Sequence, residues 1–70
     1  MILVHLSINN KPALVDEKNI LFIEECEGQN QQGENVEFTR VYFKQPLTAE
    51  EPIGQIDIVE SVEKMIKLLK

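Results

Sequence analysis

The chain has 70 residues, a mass of 8.1 kDa and 43% apolar residues. That composition fits one small folded domain over residues 1–70 and excludes a disordered chain. Twelve acids against seven bases leave a net charge of −5, which argues against binding nucleic acid or an anionic membrane through bulk charge. The single cysteine, Cys26, excludes an internal disulfide.

A chain this short buries only about 60% of the surface that its unfolded form exposes. Small domains without a disulfide or metal commonly offset that deficit by associating. The apolar start, Met1 to Ile8, has no basic leader and no small-residue cleavage site, so it does not read as a signal peptide. No run reaches the roughly 20 apolar residues that a membrane-spanning helix needs. The expectation is a soluble cytoplasmic protein.

In chain order, Ile2, Val4, Leu6 and Ile8 alternate with Leu3, His5 and Ser7. A period of two predicts a strand over 2–8 with one buried face. Asn9-Asn10 suits a tight turn because Asn tolerates positive φ. Lys11-Pro12 marks a strand start or an edge, since proline cannot donate to a ladder. Ala13-Leu14-Val15 is a short second strand, closed by Asp16 to Asn19. Ile20-Leu21-Phe22-Ile23 is apolar on both faces and predicts a central third strand or one buried on both faces, running into Glu24-Glu25-Cys26-Glu27. Residues 28–35 contain nothing apolar and read as a long wet hairpin loop.

A fourth strand spans Val36 to Lys44. Val36 and Phe38 share one face, and Val41 and Phe43 share the other. Either both faces are covered or a bulge near Thr39-Arg40 shifts the register. Gln45 to Pro52 is a connector bracketed by Pro46 and Pro52, with a capping-box pattern at Thr48 to Glu51 that allows one helical turn. Ile53 to Val59 is a fifth strand. The period then changes: Val62, Met65, Ile66 and Leu69 form one helical stripe behind Ser61, a good N-cap. Glu60 with Lys64 and Glu63 with Lys67 are spaced as i,i+4 pairs.

The predicted fold is α+β, mainly β: a curled four- to five-stranded antiparallel sheet or partial barrel with one C-terminal helix. The predicted core is Ile2, Val4, Leu6, Leu14, Phe22, Ile56, Ile58, Val62, Met65, Ile66 and Leu69.

No constellation of reactive side chains stands out. His5 is the lone histidine, and Ser7 on the same strand face lies roughly 7 Å away at Cα, too far for a base–nucleophile pair. His5 and Cys26 give two soft ligands where structural zinc takes four. Glu25 and Glu27 should raise the Cys26 thiol pKa and keep it unreactive. Glu24 faces opposite to Glu25 and Glu27 on a strand, so the run does not form a convergent acid pair. The three glycines lie apart and form no phosphate loop. No catalytic residue, metal or cofactor is therefore expected, and the chain is not expected to be an enzyme.

The turn Asn9-Asn10-Lys11, the run Asn19-Ile20-Leu21-Phe22-Ile23-Glu24-Glu25 and the helix start Glu60-Ser61-Val62-Glu63 resemble the flagellar FlbD family of small proteins. Similar small proteins occur in phages. The resemblance covers about half the chain, and implies hairpins followed by a helix and a non-enzymatic accessory role. The chain departs from it with Asn10 where the family turn has Gly, with the polar loop 28–35 and with the connector 45–54. The Ile-Leu-Phe-Ile-Glu strand before a polar hairpin is also similar to LytTR-type DNA-binding domains, which are longer and basic.

The strands carry more apolar surface than one nine-residue helix can cover. The leftover face must be closed by barrel curling or by a second subunit, and the sequence predicts an interaction or assembly module whose partner is a protein, itself or another, with a homo-oligomer expected. Its interface is expected at Leu21, Ile23, Val41 and Phe43. The alternative is a small nucleic-acid-binding regulator. It would use Arg40, Lys44 and Lys11 beside Phe38, Tyr42 and Phe43 as a stacking platform.

Overall fold

A computed structural model describes residues 1–29, 31–45 and 54–70. Strand β1 (Ile2–His5) pairs antiparallel with β2 (Pro12–Val15), with Ile2 opposite Val15 and Leu3 opposite Leu14. The turn between them is built by Asn10, whose φ of 57° is left-handed. Its amide donates to the Leu6 carbonyl at 2.8 Å, and the Asn9 side chain accepts from the Lys11 amide at 3.0 Å. The strand is shorter than the alternation 2–8 predicts. Leu6 makes a single bridge to Ile58 instead, and Ile8 is 88% exposed.

The second sheet runs β3 (Ile20–Gln29), β4 (Asn35–Phe43), β5 (Gln55–Ile58), all antiparallel. A 3₁₀ turn at Glu17–Asn19, capped by Asp16, leads into β3. The hairpin loop is shorter than the polar run 28–35, because Gly28 and Gln29 pair with Val36 and Asn35. The register shift lies not at Thr39-Arg40 but between Ile20 and Phe22 on β3, where Leu21 is extra. The bulge puts Ile20 and Ile23 on the core side with Val41 and Phe43, and turns Phe22 outward beside Tyr42. The phase change along β4 is real: Thr39, Val41 and Phe43 face the core, whereas Val36 and Phe38 share the outer face with Arg40 and Tyr42.

The two sheets meet at the ends of β1 and β5. The Ser7 amide donates to the Asp57 carbonyl and the Val59 amide to the His5 carbonyl, at 2.9 and 2.8 Å. Helix α1 (Val62–Leu68) follows. Ser61 caps it by accepting from the Lys64 amide at 3.1 Å. The core is Val4, Val15, Val41, Phe43, Ile58 and Met65, with Ile2, Ala13, Ile20, Ile23 and Ile56 packed around it. Curling of the β1–β2 sheet over the second sheet, with Met65 alongside, thus closes the apolar side within one chain.

Several expected core residues lie elsewhere. Ala13-Leu14-Val15 is apolar at all three positions, so alternation cannot choose its phase; the register turns Ala13 and Val15 inward and leaves Leu14 67% exposed. Phe22 is exposed by the bulge. On α1 only Met65 is buried, Val62 is half-buried, and Ile66 and Leu69 are exposed. The contact is narrower than the stripe. The expected helical turn at Thr48 to Glu51 lies outside the described residues.

The β3–β4 hairpin is the longest element of the molecule. Ten residues at about 3.3 Å each span about 33 Å, against a longest extent of 34 Å. Because β5 pairs only with Thr39 to Tyr42, residues Cys26–Gln29 and Asn35–Phe38 form a two-stranded ribbon beyond the core.

Candidate functional site

Three features could carry function. The first is the outer face of the second sheet. Phe22 and Tyr42 stack with ring centres 4.3 Å apart and planes 16° from parallel. The Tyr42 hydroxyl donates to Glu24 Oε1 at 2.6 Å, which raises the phenol pKa, with burial adding to the effect. Arg40 forks onto Asp57, with Nε to Oδ1 at 2.8 Å and Nη2 to Oδ2 at 3.3 Å, and its guanidinium lies 5.5 Å from the Phe38 ring centre. Those hydrogen bonds hold it more firmly protonated than a free arginine. Cys26 lies on this face 3.6 Å from Glu24 Oε1. Burial pushes its thiol pKa up first, and the Glu24 charge follows. The direction is the one the sequence suggests, but the acid beside the thiol is Glu24 rather than Glu25 or Glu27.

The second feature joins the chain's two ends. Glu60, 6% exposed, accepts from the His5 backbone amide through Oε1 at 2.8 Å and meets His5 Nδ1 through Oε2 at 2.7 Å. Burial pushes the carboxyl pKa up. The ring contact, the His5 amide and its own amide together outweigh that and leave it below the ordinary value. Glu60 is therefore turned inward rather than paired with Lys64 across the helix surface. Its partner is 55 positions away, so no local spacing could reveal it. No nucleophile is hydrogen-bonded to His5 among the described residues. The described hollows are lined by neither His5 nor Glu60.

The third feature is apolar surface. Among the described residues eleven large apolar side chains are exposed, against six in the core. Leu3 and Leu14 stand directly opposite each other on the outside of the β1–β2 sheet. Leu21, Phe22 and Leu69 line an open groove of about 350 Å³ with Ile20 and Ile23, rimmed by Glu17 and Lys18. Glu17 also holds the chain's terminal ammonium at 2.9 Å, and that hydrogen bond lowers its pKa. A larger hollow of about 700 Å³ lies between the ribbon and the turn after β1, with Ile8, Val36, Phe38 and Val59 along it.

The four residues expected at an interface divide. Val41, 1% exposed, and Phe43 belong to the chain's own core, because β1–β2 covers the face they share. They are not available to a partner. Leu21 is exposed and Ile23 is half-buried, and both line the smaller groove. The residues of the nucleic-acid alternative also divide. Phe38, Arg40 and Tyr42 share the outer face, Phe43 faces the core, and Lys11 lies in the turn of the other sheet. Phe22 completes the aromatic group, and only the bulge puts it there.

Comparison with known protein families, curated proteins and solved structures gives no match. No helix among the described residues is long and apolar enough to cross a membrane. No cluster of three or more His, Cys, Asp or Glu among them could hold a metal ion.

Proposed function

We propose that the protein is a non-enzymatic interaction and assembly module of the cytoplasm that associates with its own copy. One observation carries this: eleven large apolar side chains are exposed on its described surface, Leu21, Phe22 and Leu69 of them around one groove. The unpartnered core face that motivates association in the sequence is closed within the chain. The case for association therefore moves outward, to Leu21, Phe22 and Leu69 around their groove and to the Leu3–Leu14 pair. Burying such residues against a second copy removes about 25 cal/mol of unfavourable hydration per Å², the kind of gain that a small core lacks. The accessory role implied by the likeness to the FlbD family agrees with this reading. The test is the solution mass of the wild type against Leu21→Asp. Association lost in the variant supports the reading. A wild type that stays at one chain throughout the concentration range overturns it.

A nucleic-acid reading has one observation in its favour, the gathering of Phe22, Phe38, Tyr42 and Arg40 on one face. Against it, Phe22 and Tyr42 already stack on each other and Arg40 is neutralised by Asp57. Absence of a gel shift at low salt removes it.

A further inference from the structure

We propose that the outer edge of β3 takes up an extended, lysine- or arginine-bearing segment of a partner protein as an added strand. This deepens the interaction-module reading by naming the chemistry of a second partner.

The argument starts from the ladder. Strand β3 pairs with β4 on one side only, and among the described residues no backbone–backbone hydrogen bond outside that ladder reaches Phe22 to Gln29. From Phe22 to Gln29 the register is unbroken, so alternate amides and carbonyls over eight residues point outward in regular array. Exposed edges of this length are usually blunted by proline, lysine, a bulge or a cover. Here Pro12 stands on β2 and the bulge sits at Leu21, before the regular stretch. Between Phe22 and Gln29 there is no proline and no base.

The edge has acids instead. Glu25 and Glu27 share one face, and Glu27 stands directly opposite Glu37 on β4. Like charges facing across a strand pair are destabilising. Among the described residues no cation pairs with Glu25, Glu27 or Glu37; Arg40, the nearest base along β4, is committed to Asp57.

Charge selects among occupants. A second copy paired antiparallel at the middle of this edge sets acid against acid in each register that keeps matching faces together, Glu24 on Glu24, Glu25 on Glu25 or Glu25 on Glu27, which is repulsive. A strand with bases at alternate positions would meet Glu25 and Glu27 on one face, with the Glu37 charge one strand further in, and complete the ladder, as in β-strand addition.

The test uses the whole chain and an end-blocked eight-residue peptide alternating Lys with Val. Controls are a peptide with Glu in place of Lys and a Lys peptide N-methylated at alternate residues. Amide resonances and hydrogen exchange of β3 are followed up to about 1 mM peptide. The expected result is binding of the Lys peptide with slowed exchange at outward amides of Phe22 to Gln29, and no such slowing by either control. Replacing the acids together, E25Q/E27Q/E37Q, weakens it about tenfold. Absence of binding overturns the proposal, as does equal binding of the N-methylated peptide (charge without a ladder) or of the Glu peptide. So does self-pairing of β3 that excludes the Lys peptide. None of these results depends on whether Leu21 carries self-association, so the two readings fail separately.

Discussion

Removing the Glu60 carboxylate tests how the ends of the chain are held. In Glu60→Ala the His5 amide loses its 2.8 Å acceptor and the His5 ring its 2.7 Å partner. Hydrogen bonds to a charged group contribute roughly 1.5–3 kcal/mol each, and a buried donor left unpaired costs roughly 1–3 kcal/mol. The His5 side chain is 38% exposed, so water recovers part of the ring's loss. The expected cost is therefore about 2–4 kcal/mol. A domain of this size has about 4–10 kcal/mol in total, so the change removes a large share of it. At about 4–8 °C per kcal/mol, Tm falls by about 8–32 °C. The assay is urea unfolding followed by circular dichroism, in a cycle with His5→Ala. His5→Ala should cost less, because the backbone bond survives, and the two changes should couple by more than about 0.5 kcal/mol. A Glu60→Ala variant within about 0.5 kcal/mol of wild type would refute the clamp.

Other consequences follow from the same geometry. The folded Glu60 carboxyl titrates below its ordinary value, so the unfolded chain binds the proton first. Its stabilisation is present above the unfolded pKa, about 4.3, and is lost as pH falls through the folded pKa. The urea midpoint of the wild type should therefore drop further than that of Glu60→Gln between about pH 6 and pH 3; parallel curves would contradict this. Met65→Ala should cost about 2–5 kcal/mol, whereas Ile66→Ala, exposed on the same helix, should stay within about 0.5 kcal/mol. Comparable losses at both positions in urea melts would show that the helix packs differently. Glu37→Lys replaces the repulsion with Glu27 by attraction and should stabilise by about 0.2–1 kcal/mol. It should also slow amide exchange in the ribbon at Cys26–Gln29, and unchanged exchange would argue against the register.

The number and order of the elements was legible because the period of the apolar residues changes where the structure changes. Ile2 and Val4 alternate, Val62, Met65 and Ile66 recur at helical spacing, and Asn9-Asn10 marks the first turn. Phase was not legible wherever apolar residues run together. Ala13-Leu14-Val15 offers two equally apolar faces, and only the pairing of Leu14 with Leu3 shows which one is outside. In Ile20 to Ile23 the bulge at Leu21 decides the faces, and a bulge leaves no mark in a run of four apolar residues. The split along β4 was visible in Val36, Phe38, Val41 and Phe43. Its consequence was not, because whether β1–β2 or a partner covers Val41 and Phe43 depends on how the sheets curl. The Glu60–His5 clamp was invisible for a simpler reason: i,i+4 spacing suggests Lys64, and nothing local points to the far end of the chain.

Self-association through exposed apolar side chains is tested most directly by sedimentation equilibrium of the unmodified chain from low to high micromolar concentration. The account predicts a mass that rises to two or more times 8.1 kDa and returns to one chain in Leu21→Asp. A single 8.1 kDa species at every concentration would contradict it.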